Sequence, residues 1–177
     1  MSCPPFLFDL ILHFSTETTT ISPCGTPVDI GNSSTIYSVT SGSNSYTCRY
    51  VAWTVSTTGN VTLVFQFRHL PGIWYMDDVS VSDGTTELLL NGGFESGTLS
   101  PGWTRRTPNG QCTGTSAGVN TSNCRNGTYC FRDGCDNVAD EISQSFPVTA
   151  GQIYYISFWL KQSDGSGSGI FANVTLS

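Results

Sequence analysis

Nowhere along the 177 residues do apolar side chains recur at i, i+3, i+4 and i+7 over a useful length, whereas short runs alternating apolar with polar recur between Gly, Asn, Ser and Pro. A period of two belongs to a β-strand with one buried face. Many such strands divided by turn residues predict an all-β fold, an antiparallel jelly-roll or β-sandwich. Residues 50–56 and 61–67 flank "TTGN" and predict a hairpin; "IWYMDDVSV", "ELLLNGGF", "ISQSFPV", "QIYYISFWL" and "GIFANVTLS" supply further strands. Alternation also assigns faces. Tyr154, Ile156, Phe158 and Leu160 form one core-facing set, Val61, Leu63, Phe65 and Phe67 a second, and Ile170, Ala172, Val174 and Leu176 a third.

A formal net charge of −6, with 11% charged residues, argues against nucleic acid as a partner, because phosphate binding needs clustered Lys and Arg. Seven cysteines without a paired C-x-x-C zinc pattern point to an oxidising, extracellular compartment. Asn-x-Ser/Thr sequons at Asn32, Asn60, Asn120, Asn126 and Asn173 add the expectation of a secreted protein carrying covalent N-glycans. Cys24 with Cys48 closes a loop worth roughly 3 kcal/mol. Cys112, Cys124, Cys130 and Cys135 pair locally in one of three ways, and the pairing expected here is Cys112 with Cys124 and Cys130 with Cys135. Cys3 is left over, as a free thiol or as a link to another chain.

Ahead of this domain stands "FLFDLILHF", in which Phe6, Phe8, Leu10, Leu12 and Phe14 alternate with Leu7, Asp9, Ile11 and His13. No basic residue precedes the strip, Asp9 interrupts it, and no small-residue cleavage site follows, so it does not read as a secretory signal. It is also too short to be a membrane span. The strip predicts a β-strand in need of a sheet. The chain thus divides into an amino-terminal extension, residues 1–23 with the strand at 6–14, and a sandwich over residues 24–177.

"LLLNGGFESGTLSPGW" at residues 88–103, "ISQSFPVTAGQIYYISFWLK" at 142–161 and the strand "WYMDDVSV" resemble the carbohydrate-binding-module-like jelly rolls of the galactose-binding-like superfamily. In that family Asn-Gly-Gly-Phe-Glu opens the domain and Asp-Asp-Val closes it. Here the closing half, residues 24–86, precedes the opening half, residues 87–177, which implies a permuted chain or tandem copies read out of phase. The resemblance also implies a structural Ca²⁺ on Asp77 and Glu95, with oxygen ligands that suit that ion. Asp77 shares parity with Tyr75, Val79 and Val81. A carboxylate on that face is either metal-bound or an acceptor of backbone N–H groups, and both readings stay open. Sugar contacts need exposed aromatic faces, for which Trp103, Tyr129 and Phe131 are the candidates, with Trp74 and Trp159 as outer-face alternatives; the resembled family commonly packs the equivalent of Trp103 in its core.

Catalysis finds little support. His13 and His69 are read as structural, no Gly-x-Ser-x-Gly or His-Glu-x-x-His occurs, and a carboxylate pair from Asp77, Glu95, Asp140 or Glu141 lacks any fixed separation. The expected function is therefore non-catalytic. The leading expectation is a subunit of a secreted, glycosylated filament, in which copies of the chain join head-to-tail as residues 6–14 add a strand to a neighbour. Five buried side chains would contribute about 7–15 kcal/mol gross at about 1.5–3 kcal/mol each. The alternative is that the strand folds back on its own domain and that the chain is a carbohydrate-binding module of a larger secreted protein.

Overall fold

The computed structural model describes residues 24–163 and 169–177, all without helix, as two packed β-sheets. In chain order the strands are β1 (Val28–Asp29), β2 (Thr35–Val39), β3 (Thr47–Thr54), β4 (Gly59–Arg68), β5 (Trp74–Ser82) and β6 (Thr104–Arg106). They continue with β7 (Gly114–Asn120), β8 (Cys130–Cys135), β9 (Asp140–Val148), β10 (Ile153–Gln162) and β11 (Phe171–Leu176). One sheet has the order β1-β3-β10-β5-β8-β7 and the other β2-β11-β4-β9-β6. Every pairing is antiparallel except β1 with β3. No helix among the described residues is long and apolar enough to cross a membrane.

The core-facing sets follow the alternation. Leu63, Phe65 and Phe67 of β4, Tyr154, Ile156, Phe158 and Leu160 of β10, and Ala172, Val174 and Leu176 of β11 are buried, and Ile170 joins them. Phe65 sits at the centre, with ring neighbours Phe67, Trp103 and Phe158 at centroid distances of 6.1, 6.0 and 5.2 Å.

The hairpin expected at 50–56 and 61–67 does not form. β3 pairs with β1 and β10, β4 pairs with β11 and β9, and the two strands lie in opposite sheets. Both are strongly one-sided, so the connection arches across the sandwich and lets Val51 and Trp53 face the same core as Leu63 and Phe65. The segment "ELLLNGGF" forms no strand beyond a single bridge, Ser82 with Glu87, because Asn91 and Phe94 take positive φ values of 54° and 59°.

Both halves of the chain contribute alternately to both sheets. In one, β10 lies between β3 and β5; in the other, β11 lies between β2 and β4. Strands of residues 24–86 and of residues 87–177 therefore lie side by side within each sheet. β11 is flanked on both sides, and Ser177 and Thr62 exchange backbone hydrogen bonds at its end. The expected strand at 6–14, with Phe6, Phe8, Leu10, Leu12 and Phe14, and Cys3 lie outside the described residues.

Among the described residues three disulfides are formed: Cys24–Cys48, Cys112–Cys135 and Cys124–Cys130. The first is the pairing argued from sequence. The other two correct the expected Cys112–Cys124 and Cys130–Cys135. Cys130 and Cys135 are the two ends of strand β8, and an extended strand rising about 3.3 Å per residue carries its ends far beyond disulfide reach. Gly114 stands opposite Cys135 in the β7–β8 ladder, which brings Cys112 to Cys135, and Asn120 stands opposite Cys130, which turns Cys124 back onto Cys130.

Candidate functional site

The outer face of the six-stranded sheet is where chemistry-bearing side chains gather, and a fault in strand β5 puts them there. Trp74 and Met76 point into the core; so do Val79 and Val81. Those two pairs have opposite parity, and the strand reconciles them with a β-bulge at Asp78, whose φ is 48°, opposite the register shift between Ser157 and Trp159 of β10. Asp77 consequently shares a face with Tyr75 but not with Val79 and Val81, as parity alone had placed it. It faces away from the core.

Asp77 is nonetheless only 1% exposed, because the disulfide loop between Cys124 and Cys130 lies over it. Its Oδ1 accepts the N–H of Asp78 at 2.8 Å, and its Oδ2 accepts those of Arg125 and Asn126 at 2.9 and 3.1 Å. Glu95 holds the other end of the loop. Its Oε1 accepts the N–H groups of Thr128 and Tyr129, and its Oε2 also meets that of Thr128, all at 3.1 Å. Burial pushes the Asp77 carboxyl above the ordinary aspartate range, against the lowering effect of these N–H donors, Asn126 foremost.

The carboxylates read as a Ca²⁺ pair are thus both N–H acceptors. Amide dipoles aim their positive ends along the directions from which a cation would approach, so the donor set does not fit one Ca²⁺ held by Asp77 and Glu95. Among the described residues, Cys112, Cys135 and Asp140 are the remaining grouped candidates, and there the two sulfurs are joined to each other.

Beyond the loop, β3 and β10 present a row of rings. Tyr50 and Tyr155 lie 6.1 Å apart, and Trp159 follows Tyr155 along β10. The Arg125 guanidinium sits 3.8 Å above the Trp159 ring and is ion-paired with Asp78. Lys161 donates to Asn123 Oδ1 at 3.0 Å and lies near the rings of Tyr46 and Tyr75. The Tyr46 hydroxyl donates to the Asn123 carbonyl at 2.8 Å, and burial, followed by the Asp77 charge, raises its pKa well above the usual phenol range.

At Ser157, two residues before Trp159 on β10, opens a groove of about 380 Å³. Ser80 and Ser157 are on its strands, Asp78 and Glu87 supply carboxylates, and Gly92 and Gly93 make a wall of bare backbone. Gly92 is required there: a Cβ would lie 1.9 Å from the Val79 carbonyl. Glu87 is fixed by the Ser80 hydroxyl and by the N–H groups of Val81 and Leu89.

Two of the three expected sugar contacts are corrected. Trp103 is 6% exposed, stacked on Phe94 at 5.7 Å with its indole N–H on the Asn91 carbonyl, and Phe131 is fully buried between Phe67 and Phe94. Both are core side chains: Phe131 is on the inward face of β8, and the segment that carries Trp103 into β6 packs onto the sandwich. Tyr129 alone of the three reaches the surface, half-buried against Gly97. Trp74 is also core, whereas Trp159 is on the outer face as allowed for. Tyr50 and Tyr155 were missed as ligand candidates, although their parity with Trp159 and Cys48 could have found them.

The sequons divide. Asn32, Asn60 and Asn126 are exposed. Asn173 is half-buried and accepts a hydrogen bond from Ser38 at 2.6 Å, while Asn120 donates to the Cys130 carbonyl and accepts from Ser122 N–H.

Fold and site together define a class: a disulfide-clamped β-sandwich that displays an aromatic row and a carboxylate-lined groove on one sheet. No family model, no curated protein and no solved structure matches this chain.

Proposed function

We propose that this chain is a non-catalytic, extracellular carbohydrate-binding module whose site is the outer face of the six-stranded sheet. One observation carries the reading: Ser157, between Tyr155 and Trp159 on β10, lines a groove together with the carboxylates of Asp78 and Glu87. A pyranose offers an apolar C–H face for stacking and hydroxyl donors for carboxylates, so rings and acids side by side match its two chemistries. Asp78 is ion-paired with Arg125, so Glu87, held by neutral donors, gives the groove its net negative charge, which disfavours acidic sugars and makes neutral or amino sugars the ligand class. The test is affinity electrophoresis on immobilised neutral glycans with wild type, Tyr155→Ala and Glu87→Gln. Retention that weakens at least tenfold in either variant supports the site; the absence of retention on a broad glycan panel removes the reading.

A second reading, a filament built by strand donation from residues 6–14, keeps one supporting observation. Among the described residues β2 and β7 are terminal strands of their sheets, edges to which a further strand can add. Negative-stain electron microscopy of the full chain and of a chain lacking residues 1–14 tests it. Filaments that persist after truncation, or their absence from the full chain, end this reading.

A further inference from the structure

At the opposite edge of the sandwich two carboxyl groups are sealed from water. Asp133 of β8 is 0% exposed and Asp140 of β9 is 1% exposed. The strands belong to different sheets, and both side chains point into the space between them. Asp140 is well supplied. Its Oδ2 accepts Arg105 Nη2 at 3.1 Å and Ala117 N–H at 2.8 Å, and its Oδ1 lies 3.4 Å from the same guanidinium. Asp133 is not. Its Oδ2 has only a long contact, 3.4 Å, from Cys135 N–H, and no donor among the described residues reaches its Oδ1.

The charge balance is fixed by what surrounds the pair. Among the described residues β6 contributes the cation Arg105, β7 contributes the Ala117 backbone N–H, and His69, which follows β4, donates its backbone N–H to the Cys135 carbonyl with its ring against Trp74 and its pKa lowered by burial. Opposite Asp133 in β5 stands Trp74, and opposite Asp140 in β4 stands Phe67, both apolar and buried. On β8 itself the neighbour on the same face is Cys135, held in a disulfide and unable to titrate. Two carboxylates against one guanidinium would leave a net negative charge in an apolar corner, which is expensive.

We propose that Asp133 is a neutral carboxylic acid in the folded protein and donates its proton to Asp140, so that one shared proton latches the two sheets together at the β7–β8–β9 corner. Asp140 keeps the charge because Arg105 and Ala117 stabilise it; Asp133 keeps the proton because, among the described residues, the long Cys135 N–H contact is the one hydrogen bond its anion has. Cys135 brings the two acids to one place, its Sγ within 4.8 Å of an Asp140 carboxylate oxygen and its N–H facing Asp133 Oδ2, and burial, then the charge of Asp140, pushes the Asp133 pKa up to about 8. Loss of the proton places two anions together and loosens strand β7, which Cys112–Cys135 keeps attached covalently. The pair is then a latch that neutral pH closes and alkaline pH opens.

Two measurements test it on the full chain. Carbon-detected NMR titration of the aspartate carboxyl groups is expected to give Asp133 the protonated shift at pH 6 and a midpoint at least 2 pH units above ordinary aspartates. Hydrogen exchange at Ala117 N–H, corrected for intrinsic base catalysis, is expected to quicken more than tenfold from pH 7 to pH 9.5 in wild type and to stay flat in Asp133→Asn. An ionised Asp133 at pH 6 overturns the latch, as does equal pH dependence of exchange in the two proteins. Should Asp133→Asn not fold, the wild-type titration alone decides.

Discussion

Asp77 is the residue whose removal most directly tests the account of the outer face. Asp77→Ala deletes the acceptor of three backbone N–H groups, two of which hold the Cys124–Cys130 loop onto strand β5. Hydrogen bonds to a charged group contribute about 1.5–3 kcal/mol each, so three would set a ceiling near ~5–9 kcal/mol. The ceiling is not reached. Arg125 and Asn126 are exposed in the loop and their N–H groups regain water once released, and the variant no longer carries the desolvation that raises the Asp77 pKa. The expected net loss is about 2–3 kcal/mol, in the range of a broken buried polar network. With an m-value of about 2 kcal/mol/M in urea, the midpoint falls by roughly 1–1.5 M at unchanged m. The assay is urea unfolding under oxidising conditions, with and without EDTA. A midpoint within about 0.3 M of wild type would refute the clamp. An EDTA effect on wild type that equals the mutation would refute the argument that N–H donors rather than Ca²⁺ occupy these oxygens.

Trypsin digestion without reduction separates the disulfide pairings. Cleavage after Arg106, Arg125 and Arg132 leaves peptides 107–125, 126–132 and 133–161, which stay joined as one species if Cys112–Cys135 and Cys124–Cys130 are right. Release of 107–125 alone with an internal bridge would refute them. Expressed in a glycosylating host, the protein is expected to carry N-glycans at Asn32, Asn60 and Asn126 and none at Asn120, whose amide is bonded on both sides; glycopeptide mass spectrometry showing Asn120 occupied would contradict this. His69, buried with its Nδ1 accepting Gly72 N–H, has its pKa lowered mainly by burial. Its neutral form is favoured in the fold, so its stability contribution is present above the unfolded pKa of about 6.5 and lost as pH falls through the lower folded value. Thermal unfolding from pH 7.5 to 5 should therefore drop wild type relative to His69→Gln, and parallel curves would refute it.

Alternation carried far into the tertiary structure because burial on one face leaves the same record in sequence wherever a strand lies. Leu63, Phe65 and Phe67, the even-numbered set from Tyr154 to Leu160, and the closing set from Ile170 to Leu176 all face the core that their period assigned. The record says which face is buried, not which neighbour is bonded. Strands β3 and β4 read as a hairpin for that reason, and only the choice of β11 and β9 as partners for β4 turned the connection into an arch.

Within this chain, the sequence by itself determined an all-β sandwich, its inward faces and the Cys24–Cys48 bridge, because each depends on local period or on a short loop. Tertiary structure decided the rest. A single bulge at Asp78 reversed the facing of Asp77; the β7–β8 ladder chose the partners of Cys112 and Cys124; and packing sent Trp103 and Phe131 into the core. Each outcome turns on which distant strand lies alongside, and the pairing of distant strands depends on the whole set of faces being buried together.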